Sequence, residues 1–75
     1  MKKIIEILNK IIPNVDFENE KDLIDNKILS SFNIIKLVYE LNEAYEIQIS
    51  PMQLVPENFN SVEAIYNLVK RLEEE

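Results

Sequence analysis

The chain contains no cysteine, no histidine, no glycine and no tryptophan. Without cysteine there is no disulfide framework, no thiolate metal site and no thiol nucleophile, and the composition fits a reducing compartment. Without histidine, a serine has lost the base that most often activates it. Lys27 and Lys36 are the amines nearest in sequence to the candidate serine described below, and both read as solvated side chains. A hydroxyl here is therefore a group to be acted upon. The absence of glycine also excludes a phosphate-cradling loop and forces tight turns onto other residues. Asparagine tolerates the left-handed conformation best, so Asn14, Asn19, Asn26 and Asn58 are the expected turn formers. No uninterrupted apolar run reaches the length of a membrane span, and Met1-Lys2-Lys3 leads into a charged, amphipathic segment instead of a secretory h-region. A cytoplasmic protein is expected.

What is present bounds the fold. With 75 residues, 47% of them apolar, the chain suits one small domain over residues 1–75 with one core and no need of metals. Such a domain buries about 60% of its unfolded surface. Eight basic against fourteen acidic residues leave a net charge of −6. That balance argues against binding a nucleic acid backbone and suits partners with basic patches, although acidity also serves simple solubility.

The apolar periodicity is helical. Between Lys2 and Ile12, apolar side chains fall at 4, 5, 8, 11 and 12, and Pro13 closes the run. From Pro13 to Leu29 the pattern lapses into a long loop, with Val15, Phe17, Leu23, Ile24, Ile28 and Leu29 expected to point inward. Ser30 reads as the N-cap of a second helix running from Ser31 to about Tyr45. Ser50-Pro51 opens a short third element that Pro56 is expected to stop. Asn60, with Glu63 three residues on, reads as the cap of a last helix extending to about Leu72, whose inner face is Val62, Ile65, Tyr66, Leu68, Val69 and Leu72. The terminal Glu73, Glu74 and Glu75 oppose the helix dipole, so fraying is expected there. Ile47 to Ile49 is too short to found a sheet. The expected fold is a small all-α bundle of three main helices and one short one.

Two sets of residues invite a functional reading. The alternating run Asp16, Glu18, Glu20, Asp22 opens like a calcium-binding loop, but Lys21 stands where a glycine is required and Lys27 where a bidentate glutamate is required. The second helix is more informative. A step of about 100° per residue puts Ile34, Leu37, Val38, Leu41 and Tyr45 on a core face and Phe32, Ile35 and Tyr39 on the opposite side. Large apolar residues are buried more often than not, so packing of that second stripe under the long loop is the plainer alternative. Beside Ser31 at the helix start, however, the stripe reads as a docking surface next to a chemical handle.

These residues carry a family resemblance. Ser30-Ser31-Phe32 followed by Ile35-Lys36-Leu37 is similar to the Asp-Ser-Leu and Val-Glu-Leu segments of acyl and peptidyl carrier proteins, and the likeness spans Leu23 to Leu72. The spacing from Ile49 to Asn60, with Phe59 before the last helix, resembles D-alanyl carrier and other stand-alone carrier proteins. Ser30 stands where the family has Asp, and Lys36 stands where it has Glu. The resemblance implies an acyl-carrier-like four-helix bundle, itself not an enzyme and expected to be a monomer. It further implies covalent 4′-phosphopantetheine on Ser31 and an acyl, aminoacyl or peptidyl thioester on that arm. Implied partners are a phosphopantetheinyl transferase, an acyl- or aminoacyl-loading ligase and downstream transferases or synthases, docking on Phe32, Ile35, Lys36, Tyr39, Glu40 and Glu43. The alternative is an unmodified acidic helical interaction module using the same stripe.

Overall fold

In a computed structural model of the protein, the described residues are 2–74. They form α1 (Lys2–Ile11), α2 (Ser31–Tyr45), a 3₁₀ turn (Pro51–Gln53), α3 (Pro56–Phe59) and α4 (Val62–Glu73), with no strand among them. Met1 and Glu75, which close the basic start and the acidic end, lie outside the described residues. The architecture is the small helical bundle that the periodicity implies: α1, α2 and α4 pack on one another, and α3 lies against α4.

The core is wholly apolar among the described residues. Ile4 and Leu8 of α1, Leu37 and Leu41 of α2, Phe59 of α3, and Ile65, Leu68 and Val69 of α4 are buried together. Burying these faces is what makes helices of ten to fifteen residues stable, since isolated helices of this length are marginal in water. Ile34, Val38 and Tyr45 of the expected α2 core face, and Tyr66 and Leu72 of α4, are half-buried at its margin. At that margin, Lys3 donates to the Ala44 carbonyl at 3.4 Å and lies 5.0 Å from the Tyr45 ring centroid. It thereby places a cation at the negative end of α2. Burial, with the charges of Glu73 and Tyr66 adding, raises the Tyr45 hydroxyl above its ordinary pKa.

The long loop packs inward, as its apolar positions imply, because Phe17, Leu23 and Leu29 plug into the core. Its backbone is satisfied by successive tight turns. The Glu20 amide donates to the Asp16 carbonyl, the Asn26 amide to Asp22, and the Ile28 and Leu29 amides both to Leu23. The turn around Lys27 takes φ 59°, and the helix end at Glu46 takes φ 53°. Of the four asparagines expected at left-handed positions only Asn14 has one, with φ 68°. The others are corrected. Asn19 hydrogen-bonds Asp16, Asn26 hydrogen-bonds Glu20 and Asn58 hydrogen-bonds the Gln53 carbonyl, so their side chains cross-link turns instead of relieving strain.

Two further expectations are corrected. Pro56 does not stop a helix; it starts α3 as its first residue, where its missing amide costs nothing. The third element is therefore a 3₁₀ turn and a separate one-turn helix. The cap of α4 is Ser61, whose hydroxyl accepts from the Ala64 amide at 3.1 Å, one residue later than expected. Asn60 has a different task. Its carbonyl accepts from the Leu23 amide at 2.9 Å, and its side-chain oxygen accepts from the amides of Ile24 at 2.9 Å and Asp25 at 3.2 Å. Its amide nitrogen donates to the Asp25 carboxylate at 3.2 Å. One side chain thus clasps the middle of the long loop to the end of α3.

Asn60→Ala removes the acceptor of two of those loop amides and is expected to cost about 1–3 kcal/mol, the usual range for orphaned donors. Hydrogen exchange then loses protection at Ile24 and Asp25. Protection unchanged from the wild type would mean that the clasp contributes nothing to the loop.

Candidate functional site

The serine end of α2 is built by a reciprocal cap. Ser30 is extended, with φ −80° and ψ 170°, and its hydroxyl accepts from the Asn33 amide at 3.3 Å while the Asn33 side-chain oxygen accepts from the Ser30 amide at 3.1 Å. The Ser30 hydroxyl also donates to that same oxygen at 2.6 Å. Ser and Asn here perform the exchange usually made by Ser or Thr with Glu or Gln, so no carboxylate is needed to start the helix. The Ser31 and Phe32 amides that follow are first-turn donors without an intrahelical acceptor.

Ser31 is the first residue of α2 and is exposed. Among the described residues its hydroxyl has no hydrogen-bond partner, unlike the neighbouring Ser30 hydroxyl, which is committed to the cap. Beside it opens an apolar groove of about 320 Å³. Ile24 and Leu29 of the loop form part of its lining, Ile34 and Ile35 of α2 another part, and Leu54, Val55, Pro56 and Phe59 the remainder. The Asn60 clasp therefore ties together the loop and α3 segments that line this groove.

The apolar stripe of α2 faces solvent. Phe32 is 65% exposed, Ile35 66% and Tyr39 63%, so the stripe does not pack under the long loop. Ile35 is a ridge between two depressions, since it lines the groove at Ser31 and also a second one on its other side with Ile11, Tyr39, Lys10, Lys36 and Glu40. Lys36 is exposed and holds its ammonium 4.6 Å from the Phe32 ring centroid, one turn away along the helix. Glu40 is half-buried and paired with Lys10 of α1 at 3.3 Å, whereas Glu43 is exposed. The candidate docking residues thus share one face, but the Glu40 charge is already answered within the chain.

Sequence reasoning missed part of this surface. Met52 is 89% exposed, and Leu54 and Val55 beside the Ser31 groove are exposed as well. The run Leu54-Val55-Pro56 was the available signal, since apolar residues next to a helix-opening proline are held at a bend. Two acids of the long-loop run are engaged locally: Asp16 accepts from the Asn19 side chain at 2.7 Å and Glu20 from the Asp22 amide at 3.1 Å. Among the described residues, no three metal-ligating side chains converge, and no helix is long and apolar enough to cross a membrane.

No protein-family model matches the chain, and neither a curated protein nor a solved structure matches it.

Proposed function

We propose that the chain is a carrier protein in which Ser31 is the attachment point of a 4′-phosphopantetheine arm. The loaded protein presents an acyl, aminoacyl or peptidyl group to partner enzymes. The observation that carries this reading is the place of Ser31: an uncommitted, exposed hydroxyl on the first residue of α2, at the mouth of an apolar groove and beside an exposed apolar stripe. The residues fit the group. Ser31 would hold the group as a phosphodiester at the N-terminal end of α2, whose first turn contains no acidic side chain to repel it. Bound there, the arm supplies a terminal thiol on which cargo is held as a thioester.

The chain's own residues bind and orient. The cap made by Ser30 and Asn33 holds the backbone at Ser31 in one conformation, and the groove lined by Ile24, Leu29, Leu54 and Val55 offers apolar cover to whatever extends from it. Phe32, Ile35 and Tyr39 offer apolar contact to the phosphopantetheinyl transferase, to the ligase that loads an acyl or aminoacyl group, and to the transferases or synthases downstream. In this reading catalysis belongs to those partners, and the absence of histidine and cysteine agrees with a serine that is modified by another enzyme. Such contacts are expected to be weak and brief, as suits a carrier that visits several enzymes in turn.

Intact mass after co-expression with broad-specificity phosphopantetheinyl transferases tests the reading. A gain of one phosphopantetheinyl group is expected in the wild type and is absent in Ser31→Ala. No gain with any of several transferases would sink the carrier reading in favour of an unmodified interaction module that uses the same stripe.

A further inference from the structure

The net charge of −6 is unevenly spread along α2. Residues 31–39 of α2 contain no carboxylate, and the first turn, where an acid would answer the helix dipole, has none. Lys36 is the charged side chain of that half of the helix, five residues beyond Ser31, about 7.5 Å along the axis and about 140° around it, on the stripe side. Exposed Lys27 precedes the cap in the loop. Of the carboxylates on the neighbouring elements, Glu40 is paired with Lys10, whereas exposed Asp25 keeps its charge, since its Asn60 donor is neutral. Glu57 stands exposed on α3. Glu43, the exposed acid farther along α2, lies about 18 Å from Ser31 along the axis. That separation is about twice the screening length of physiological salt, so the two ends of α2 act on a partner independently.

We infer that the partner acting at Ser31 meets this end of α2 with an acidic side chain facing Lys36, next to an apolar hollow that receives Phe32, Ile35 and Tyr39. This deepens the carrier reading and rests on it. The overall acidity of the chain predicts a basic partner; the free charge within the exposed Phe32, Ile35 and Tyr39 stripe calls for the opposite sign. Lys36 also gains from such an arrangement. Its ammonium lies over the Phe32 ring, so a carboxylate arriving there finds a pre-positioned cation. Association steered by this pair is salt-sensitive, and a basic partner residue at the same place is repelled.

Two measurements test the inference. Amide relaxation by charged nitroxide cosolutes reads the local potential of the free protein: residues 31–36 are expected to be relaxed more by an anionic probe and the Glu73-Glu74 end of α4 more by a cationic one. Stronger relaxation of residues 31–36 by the cationic probe would overturn the inference. The partner's side is read with a broad-specificity phosphopantetheinyl transferase whose carrier-facing surface is randomised between acidic and basic residues. The library is selected for transfer from a tagged coenzyme A onto the wild type and, separately, onto Lys36→Glu. Selection on the wild type is expected to enrich acidic residues and selection on Lys36→Glu basic ones, with kcat/KM of matched pairs exceeding mismatched pairs by about tenfold. Circular dichroism confirms that Lys36→Glu is folded. Transfer to both chains with the same enriched residues would overturn the charge assignment and leave the carrier reading standing. Failure of every library member to modify Ser31 would overturn both.

Discussion

Leu41→Ala is expected to destabilise the protein by about 2–5 kcal/mol, the range measured for removing a buried leucine side chain from a close-packed core. Leu41 is fully buried on α2, in a core drawn from all four helices and from the long loop. Truncation there forfeits apolar transfer energy and leaves a space that the surrounding helices can only partly close. At 75 residues the whole domain is worth roughly 4–11 kcal/mol, so one substitution removes a large share of it. Each kcal/mol lost lowers the melting temperature of a domain this size by about 4–8 °C. Denaturant unfolding followed by circular dichroism checks the size of the effect, with Leu41→Met as the volume-preserving control expected to cost less than about 1.5 kcal/mol. A loss below about 1 kcal/mol in the alanine variant would place Leu41 outside the core, in conflict with the apolar period of α2.

The long helices were legible because burial has a period. In α2 the core face and the outer stripe separate on a wheel, and the structure keeps them apart, with Leu37 and Leu41 inside and Phe32, Ile35 and Tyr39 outside. What the wheel cannot decide is whether an outer stripe is covered, since that depends on where a distant loop runs. Here the loop is drawn away by its own plugs, Phe17, Leu23 and Leu29, and by the Asn60 clasp some 35 residues on in sequence. The clasp itself was illegible. Asn60 and Ser61 are both good caps, and only the competing demand of the loop amides sends Asn60 to the loop and leaves the cap to Ser61. Pro56 carried the same ambiguity, since proline both ends and begins helices; with Val55 extended before it, it begins one. The left-handed turns at Lys27 and Glu46 had no signal at all, because in a chain without glycine tertiary packing imposes them on whatever residue stands there.

For the candidate site, Ser31 and the stripe were readable as a position and a face, while the groove needed three separate segments brought together. That division matters for testing function. A substitution in the groove disturbs packing that also supports the fold, since Leu29 and Phe59 line it and are buried in the core. A substitution on the ridge does not.

Ile35→Arg therefore separates docking from folding, and it is expected to lower the rate of phosphopantetheine transfer to Ser31 by tenfold or more while leaving the fold unchanged. Ile35 is 66% exposed, so its loss removes little buried surface, and exposed substitutions commonly stay within about 0.5 kcal/mol. Arginine is also a better helix former than the β-branched isoleucine, which offsets part of that cost. At the interface the balance is opposite. Ile35 is the crest between two depressions, so an enzyme that straddles α2 must receive it in an apolar hollow. A guanidinium there is desolvated in a hollow shaped for an aliphatic side chain, and the packing of isoleucine is lost. Losses at central contact residues of about 2 kcal/mol correspond to roughly thirtyfold in affinity. Transfer kinetics with one transferase, measured alongside thermal unfolding, check both halves of the expectation. Equal rates for the wild type and Ile35→Arg would mean that the enzyme does not touch the ridge, and a lost unfolding transition would mean that Ile35 supports the core. A fall in rate with an intact transition, carried mainly by KM, is the expected result of weakened docking at an unaltered Ser31 hydroxyl.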